Sequence, residues 1–285
     1  VGWDWDSVLP YFKKAQNQAR GDSDFHATGG PLNVSDQPAQ SELAEAMIAA
    51  AQQLGLPRNN DFNGATQEGA GYYQTTTGKR RRWSSAKAYL APARQRQNLT
   101  VRTGSQATRV IIQDNRATGV EYQSPRGREI AYARRDIVVS GGAYGSPQLL
   151  QLSGLGPADH LRDMGIEVVR DMPAVGGNLH DHFGIYLMWR CSKPITMNDL
   201  ENSWARKIMA GVQYAFFRSG PMASNGIYAG IFARSDTRLE RPDLQINLLE
   251  WSTKERSKDR VIPHDFPGFT LGPVHLNPDG RGTVR

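Results

Sequence analysis

The apolar run Ile137-Val138-Val139 stops abruptly in Ser140-Gly141-Gly142-Ala143, and Ser146-Pro147 then opens QLLQLSG, a helical patch ended by Gly154. A continuous β-branched run has the look of a strand buried on both faces of a parallel sheet. Ser and Pro suit a helix cap and first turn, and the small residues between them let backbone approach another group closely. Strand, bare turn and helix in that order is the α/β arrangement in which a cofactor lies across the carboxyl end of a sheet. Tight strand-to-helix turns also serve packing alone, so from these residues both readings stand.

The remaining pattern predicts a mixed fold. WDWDSVLPYFKKAQNQA and ELAEAMIAAAQQLGL, the latter capped by Ser41 and stopped by Gly55, predict amphipathic helices. Ser84-Ser85 caps a further helix, AKAYLAPARQR, interrupted by Pro92. LTVRTG, ATRVIIQ, GVEYQS and EIAYA predict short strands separated by turn residues. Beyond His182 a helix near Trp204 to Phe217 precedes IYAGIFARS, DLQINLLEW, LGPVHL and GTVR, whose alternation predicts an antiparallel sheet with one covered face. A length of 285 residues suits one large or two ordinary domains.

Composition excludes several classes. With 39% hydrophobic and 22% charged residues the chain is globular rather than disordered or fibrous, and no apolar run is long enough to span a membrane. The amino-terminal VGWDWDSVLPYF lacks the basic start, apolar centre and cleavage site of a signal peptide. A lone Cys191 forms no internal disulfide. The expected location is cytoplasmic, at most peripheral to the inner membrane. The net charge of +6 is concentrated most densely in Lys79-Arg80-Arg81-Arg82; without a nucleic-acid recognition motif this run reads as a solvated turn or as a site for an anionic group of a ligand.

The segment GGAYGSPQLLQLSGLG resembles the second signature of the glucose-methanol-choline (GMC) family of flavin oxidoreductases. The resemblance continues through GPADHLRDMGIEVVRDMPAVGGNLHDH, and upstream through SSAKAYLAPARQRQNLTVRTGSQATRVI, DFNG and GYYQTTTGKRRRWSS. Downstream it takes in RPDLQINLLEW and HLNPDGRGTVR. It implies part of a FAD-binding Rossmann-like domain over residues 1–184 and part of an antiparallel-sheet substrate-binding domain over 185–285. The family's Gly-x-Gly-x-x-Gly pyrophosphate turn and its carboxyl-terminal catalytic His have no match here. The expectation is therefore the central portion of a member, unable to hold flavin or act alone.

By the same resemblance the main chain of Ala107 pairs with the adenine edge of FAD, and Ser140, Gly141, Gly142 and Ala143 pass its adenosine and pyrophosphate. Asn178, Asp181 and His182 form a structural turn near the flavin; with His180 they make a poor metal set, and no metal is expected. His264 and His275 are expected on the sheet or surface. Gln245 and Asn247 alternate with Leu244 and Ile246, so they share one face of a strand, either toward solvent or toward substrate on the wall over the flavin. The Gly78-to-Ser84 stretch departs in spacing from the family's Gly-x-Arg-x-Ser pattern, which leaves no single Arg with a role.

The implied activity is FAD-dependent oxidation of an alcohol CH–OH to an aldehyde, as in choline-dehydrogenase-like members, whether dehydrogenase or oxidase. Hydride passes to the flavin and the family's His takes the hydroxyl proton. The partners are a small alcohol and an electron acceptor such as oxygen, a quinone or a dye, and no nucleic acid. A non-catalytic ligand-binding or scaffold protein of the same fold is the alternative.

Overall fold

Ser41 begins the helix on which the main core is built. Its hydroxyl accepts from the Ala44 N–H, Glu42 and Glu45 occupy the first turn, and the helix Glu42–Gln53 ends at Leu54 before Gly55, whose φ of 87° fits glycine. Its buried side chains Ala44, Ile48 and Ala51 pack on Ala70, Ala229, Ile231 and Leu248 of a sheet. The computed structural model describes residues 2–37, 40–224, 226–257 and 259–285.

Among the described residues that sheet has six strands, all paired antiparallel. Strand Gly268–His275 lies beside Leu244–Leu249, then Ile227–Ala233, then Gly69–Tyr72, while Phe183–Gly184 and Leu187–Arg190 pair with the other edge of Gly268–His275. The antiparallel sheet expected from the alternation in IYAGIFARS, DLQINLLEW and LGPVHL is therefore present, and it takes a strand from GYYQ as well. A loop is fastened to that outer strand. The Asn59 N–H donates to the Ala70 carbonyl at 2.8 Å, and its side-chain amide donates to the Thr66 and Glu68 carbonyls. Gly71 is obligatory there, because any side chain would run into the Asn59 main chain.

Residues 1–96 and 182–277 make one compact unit; residues 97–181 and 278–285 make another. The break at 181/182 falls beside the boundary expected at 184. The first 96 residues nonetheless belong with the second half of the chain, because Gly69–Tyr72 is a strand of its sheet. In the second unit, Gln106–Gln113, Arg116–Ser124 and Gly127–Tyr132 form an antiparallel meander. Helix Gly142–Leu152 packs on its first strand, where the Val110 N–H donates to the Ser153 hydroxyl at 2.8 Å.

Four local expectations are corrected. Ile137–Val139 is not a strand; Val138 is 83% exposed, and no described segment pairs with the run, so there is no ladder to define it. Leu99–Gly104 is likewise irregular, and of GTVR only Gly282 pairs, in a single bridge to Leu179. The helix after the glycine turn starts at Gly142, not Ser146, and Pro147 lies within it. Ser146 still acts at that end, since its hydroxyl accepts from the Gly141 N–H at 2.9 Å.

Candidate functional site

The face of the large sheet turned away from helix Glu42–Gln53 carries a polar cluster. In strand Leu244–Leu249, Leu248 points into the core, so the alternation places Gln245 and Asn247 on the opposite face. They do not simply face solvent. The Tyr73 hydroxyl donates to Asn247 Oδ1 at 2.8 Å and accepts from Gln245 Nε2 at 2.9 Å, and the two amides also meet at 3.3 Å.

Tyr73 is held by aromatic packing. Its ring lies 5.5 Å from Phe62 and 6.4 Å, edge-on, from Phe232, and those two rings are 4.9 Å apart. Phe62 comes from the loop that Asn59 fastens, so DFNG and GYYQ meet here. Gly230 makes room, because an added Cβ would overlap the Tyr73 hydroxyl. Beside the rings lies a cavity of about 200 Å³ lined by Asn60, Asp61, Phe62, Asn63, Gln67, Tyr72, Tyr73, Gln74 and Phe232. Below the same loop, buried His26 sets Nε2 2.7 Å from Asp61 Oδ2 and Nδ1 3.1 Å from Gln16 Oε1.

Burial pushes the Tyr73 phenol up to about 12, against the smaller opposing effect of the Gln245 hydrogen bond. Tyr73 is therefore a neutral hydroxyl at any physiological pH, and the two amides do not titrate. The cluster can orient a polar group by donating and accepting hydrogen bonds. It has no means of taking a proton near neutrality. Tyr73, Phe62, Phe232 and Gly230 are the residues that sequence reasoning missed; the glycines inside the strands, Gly71 and Gly230, were the available signal.

The other expected residues lie in the second unit. Ala107 is half-buried in Gln106–Gln113, an edge strand whose partner is Arg116–Ser124, with a bulge immediately after Ala107. Ser140, Gly141, Gly142 and Ala143 are exposed and carry nothing larger than a hydroxymethyl group. Packing explains part of the glycine content. A Cβ on Gly141 would lie 2.9 Å from the Gly145 carbonyl carbon and the Ser146 nitrogen, and Gly142 has φ 78°. Gly145 has neither constraint, with nothing within 4 Å of an added Cβ. The turn thus offers open, bare main chain, which fits the close approach of a nucleotide.

Asn178 takes φ 59° in a turn, with Leu179 bridged to Gly282. His264 accepts or donates at Nδ1 to the Ser252 hydroxyl at 3.0 Å and stacks on Phe266, and its carbonyl takes the Asn198 and Asn202 amides. His275 lies in strand Gly268–His275.

Comparison with known proteins places the chain. The family described as GMC oxidoreductase matches residues 1–184. An oxygen-dependent choline dehydrogenase from Brucella ovis is 36% identical over 284 residues, covering 100% of this chain and 51% of the relative. One from Sinorhizobium fredii is 38% identical over 265 residues, 93% of this chain and 48% of the relative. The chain spans about half the length of the curated relatives it matches. Among solved structures, pyridoxine 4-oxidase from Mesorbium loti superposes with TM-score 0.82 at 29% identity, over 99% of this chain and 51% of that one. A formate oxidase from Aspergillus oryzae, at TM-score 0.83 and 22% identity over 98% of this chain and 54% of that one, shares the fold. With the family matched over residues 1–184 and a 36% identical relative aligned along the whole of this chain, the chain belongs to the GMC oxidoreductases.

Proposed function

We propose that this chain forms part of a flavin-dependent oxidoreductase that converts the CH–OH of a small alcohol to an aldehyde. The observation that carries the reading is the Tyr73–Gln245–Asn247 cluster, a neutral hydrogen-bonding set on a rigid sheet face beside a small cavity, in a member of a family of oxidoreductases. Ala107 and the bare main chain of Ser140, Gly141, Gly142 and Ala143 would hold the adenosine and pyrophosphate of FAD. When bound, the flavin supplies the hydride-accepting chemistry.

This chain's own residues bind and orient. Gln245 and Asn247, fixed by the Tyr73 hydroxyl, present amide groups to a polar substituent of the substrate, and Phe62 and Phe232 keep that face apolar around them. None of the three polar groups takes the alcohol proton, since Tyr73 is held neutral. The finer reading is a choline-like alcohol with oxygen, a quinone or a dye as electron acceptor; the names of the relatives from Brucella and Sinorhizobium support it. Residues 1–184 are proposed as belonging to the FAD-binding part and 185–285 to the substrate part, although the strand Gly69–Tyr72 joins the latter's sheet.

The test is steady-state oxidation of an alcohol panel by the flavin-loaded protein at its full natural length, with Gln245→Leu and Asn247→Leu compared with wild type. The expected outcome is oxidation of small alcohols, with KM raised about tenfold or more and kcat less affected, as follows from loss of a hydrogen bond to bound substrate. A flavin-loaded protein that oxidises none of them favours the ligand-binding or scaffold alternative. Unchanged KM in both variants removes Gln245 and Asn247 from the site.

A further inference from the structure

Phe62 stands between two open spaces. On one side is the cavity of about 200 Å³ beside Tyr73. On the other is a larger one of about 460 Å³, walled by Trp5, Leu9, Phe12, Phe25 and Val34, which Phe62 also lines. The ring therefore has free volume behind it, and packing on that side does not press it against Tyr73 and Phe232. It keeps its place only if the loop that carries it is fixed.

Three ties fix that loop. Asn59 fastens one end to strand Gly69–Tyr72, and Arg20 Nη1 donates to the Asn60 carbonyl at 2.6 Å. The third tie is at Asp61, the residue before Phe62, whose Oδ2 lies 2.7 Å from His26 Nε2. An ionised carboxylate only accepts, so Nε2 carries the proton and donates. Asp61 in turn organises the far half of the loop: Oδ1 accepts the Asn63 N–H at 3.1 Å, and a Cβ on Gly64 would come within 2.9 Å of Oδ2.

His26 is anchored from the opposite direction. It is 8% exposed, and its Nδ1 meets Gln16 Oε1 at 3.1 Å. Its N–H donates to the Ser23 hydroxyl at 3.1 Å, and its carbonyl accepts the Ser23 N–H at 3.1 Å. The Ser23 carbonyl takes Lys13 Nζ of helix Trp5–Ala15 at 2.7 Å. The imidazole thus joins the amino-terminal segment to the loop bearing Phe62, while His26 itself does not line the cavity beside Tyr73.

We propose that His26 is a positioning residue for the oxidation: by holding Asp61 it keeps Phe62 against Tyr73, and so keeps Gln245 and Asn247 aligned for the substrate. The inference rests on the candidate site proposed above and adds to it a residue that acts from outside the cavity.

The experiment compares His26→Leu, His26→Asn and His26→Gln in the flavin-loaded protein at its full natural length. Gln places an amide donor near the Nε2 position, Asn only near Nδ1, and Leu places none. In alcohol oxidation, KM rises roughly tenfold in His26→Leu and His26→Asn, the size expected for loss of one hydrogen bond to a charged group that holds the binding-competent arrangement. The kcat stays within about twofold of wild type, and His26→Gln recovers most of the wild-type KM. A residue that merely filled space would be replaced better by Leu than by Gln. A second readout needs no turnover. The ring resonance of Tyr73, in protein carrying ring-labelled tyrosine and assigned by its loss in Tyr73→Phe, senses the Phe62 ring at 5.5 Å. It shifts in His26→Leu and His26→Asn and returns toward wild type in His26→Gln. If His26→Leu does not fold, His26→Asn carries the comparison. An unmoved Tyr73 resonance, an unmoved KM, or a Gln variant no better than the Asn variant overturns the proposal. If the wild type oxidises no alcohol, the proposed function falls instead, and the Tyr73 resonance alone decides whether His26 holds Phe62.

Discussion

Gly230→Ala tests how the sheet face is assembled. The new methyl would overlap the Tyr73 hydroxyl and come 2.8 Å from ring carbon Cε2. That ring cannot swing away freely, because Phe62 and Phe232 hold it at 5.5 and 6.4 Å. Overpacking of this kind costs about 1–3 kcal/mol. A displaced Tyr73 also loses its bonds to Gln245 and Asn247, at about 1 kcal/mol each. Because the two amides keep their mutual contact at 3.3 Å, a destabilisation of about 2–4 kcal/mol is expected, read as a lowered urea midpoint with an unchanged slope. Tyr73→Ala alone costs about 3–5 kcal/mol as a large-to-small core change. In that background the clash is gone, so adding Gly230→Ala costs almost nothing more. The coupling energy of the cycle is then about as large as the single Gly230→Ala effect. If Gly230→Ala costs the same in both backgrounds, or under about 0.5 kcal/mol in wild type, Tyr73 does not lie over Gly230 and the site geometry is wrong.

The raised Tyr73 phenol has a pH signature. Its folded value of about 12 lies above the ordinary 10.0, so its contribution is whole below pH 10 and is lost as pH rises toward 12. Wild type therefore declines relative to Tyr73→Phe by about 2–3 kcal/mol across that window in urea titrations; parallel pH curves for the two proteins refute the assignment. Glu250 behaves oppositely to a salt-bridged acid. Burial raises its carboxyl above the ordinary 4.5, although the Ser41 hydroxyl donates to it. The folded state thus prefers the protonated form, and stability falls as pH rises from 4.5 through the raised value. Glu250→Gln should exceed wild type in urea midpoint at pH 7 to 8, with the gap closing below pH 4.5; a gap that is the same at all pH values counts against it.

Much of the fold was legible where the cause is local. Ser41 and Gly55 bound a helix through hydrogen bonds and a positive φ within a few residues of each end, and both ends fall where the sequence puts them. Helix Trp204–Phe217 was readable for the same reason, with the Ser203 hydroxyl accepting the Arg206 N–H. The alternation in DLQINLLEW put Gln245 and Asn247 together on one face, opposite Leu248, because period-two burial belongs to the strand itself. Ile137–Val139 was misread because apolar composition alone does not make a strand. It requires a neighbour, and the meander of this unit closes without using the run.

The candidate site was half legible for the same physical reason. Tyr73 is 172 residues from Gln245 and 174 from Asn247, and no periodicity or cap signals a bond across such a separation. What the sequence did carry was absence of side chains: Gly71 against the Asn59 main chain and Gly230 against the Tyr73 hydroxyl each mark a place where another segment comes too close for a Cβ. The Gly141-Gly142 turn shows the converse. Two of its glycines are accounted for by the helix that follows, so glycine content there is weak support for a ligand, and the stronger support is Gly145, whose missing side chain no contact within this unit requires. A glycine with a filled neighbourhood argues for the fold; one beside open space argues for what the fold is meant to receive.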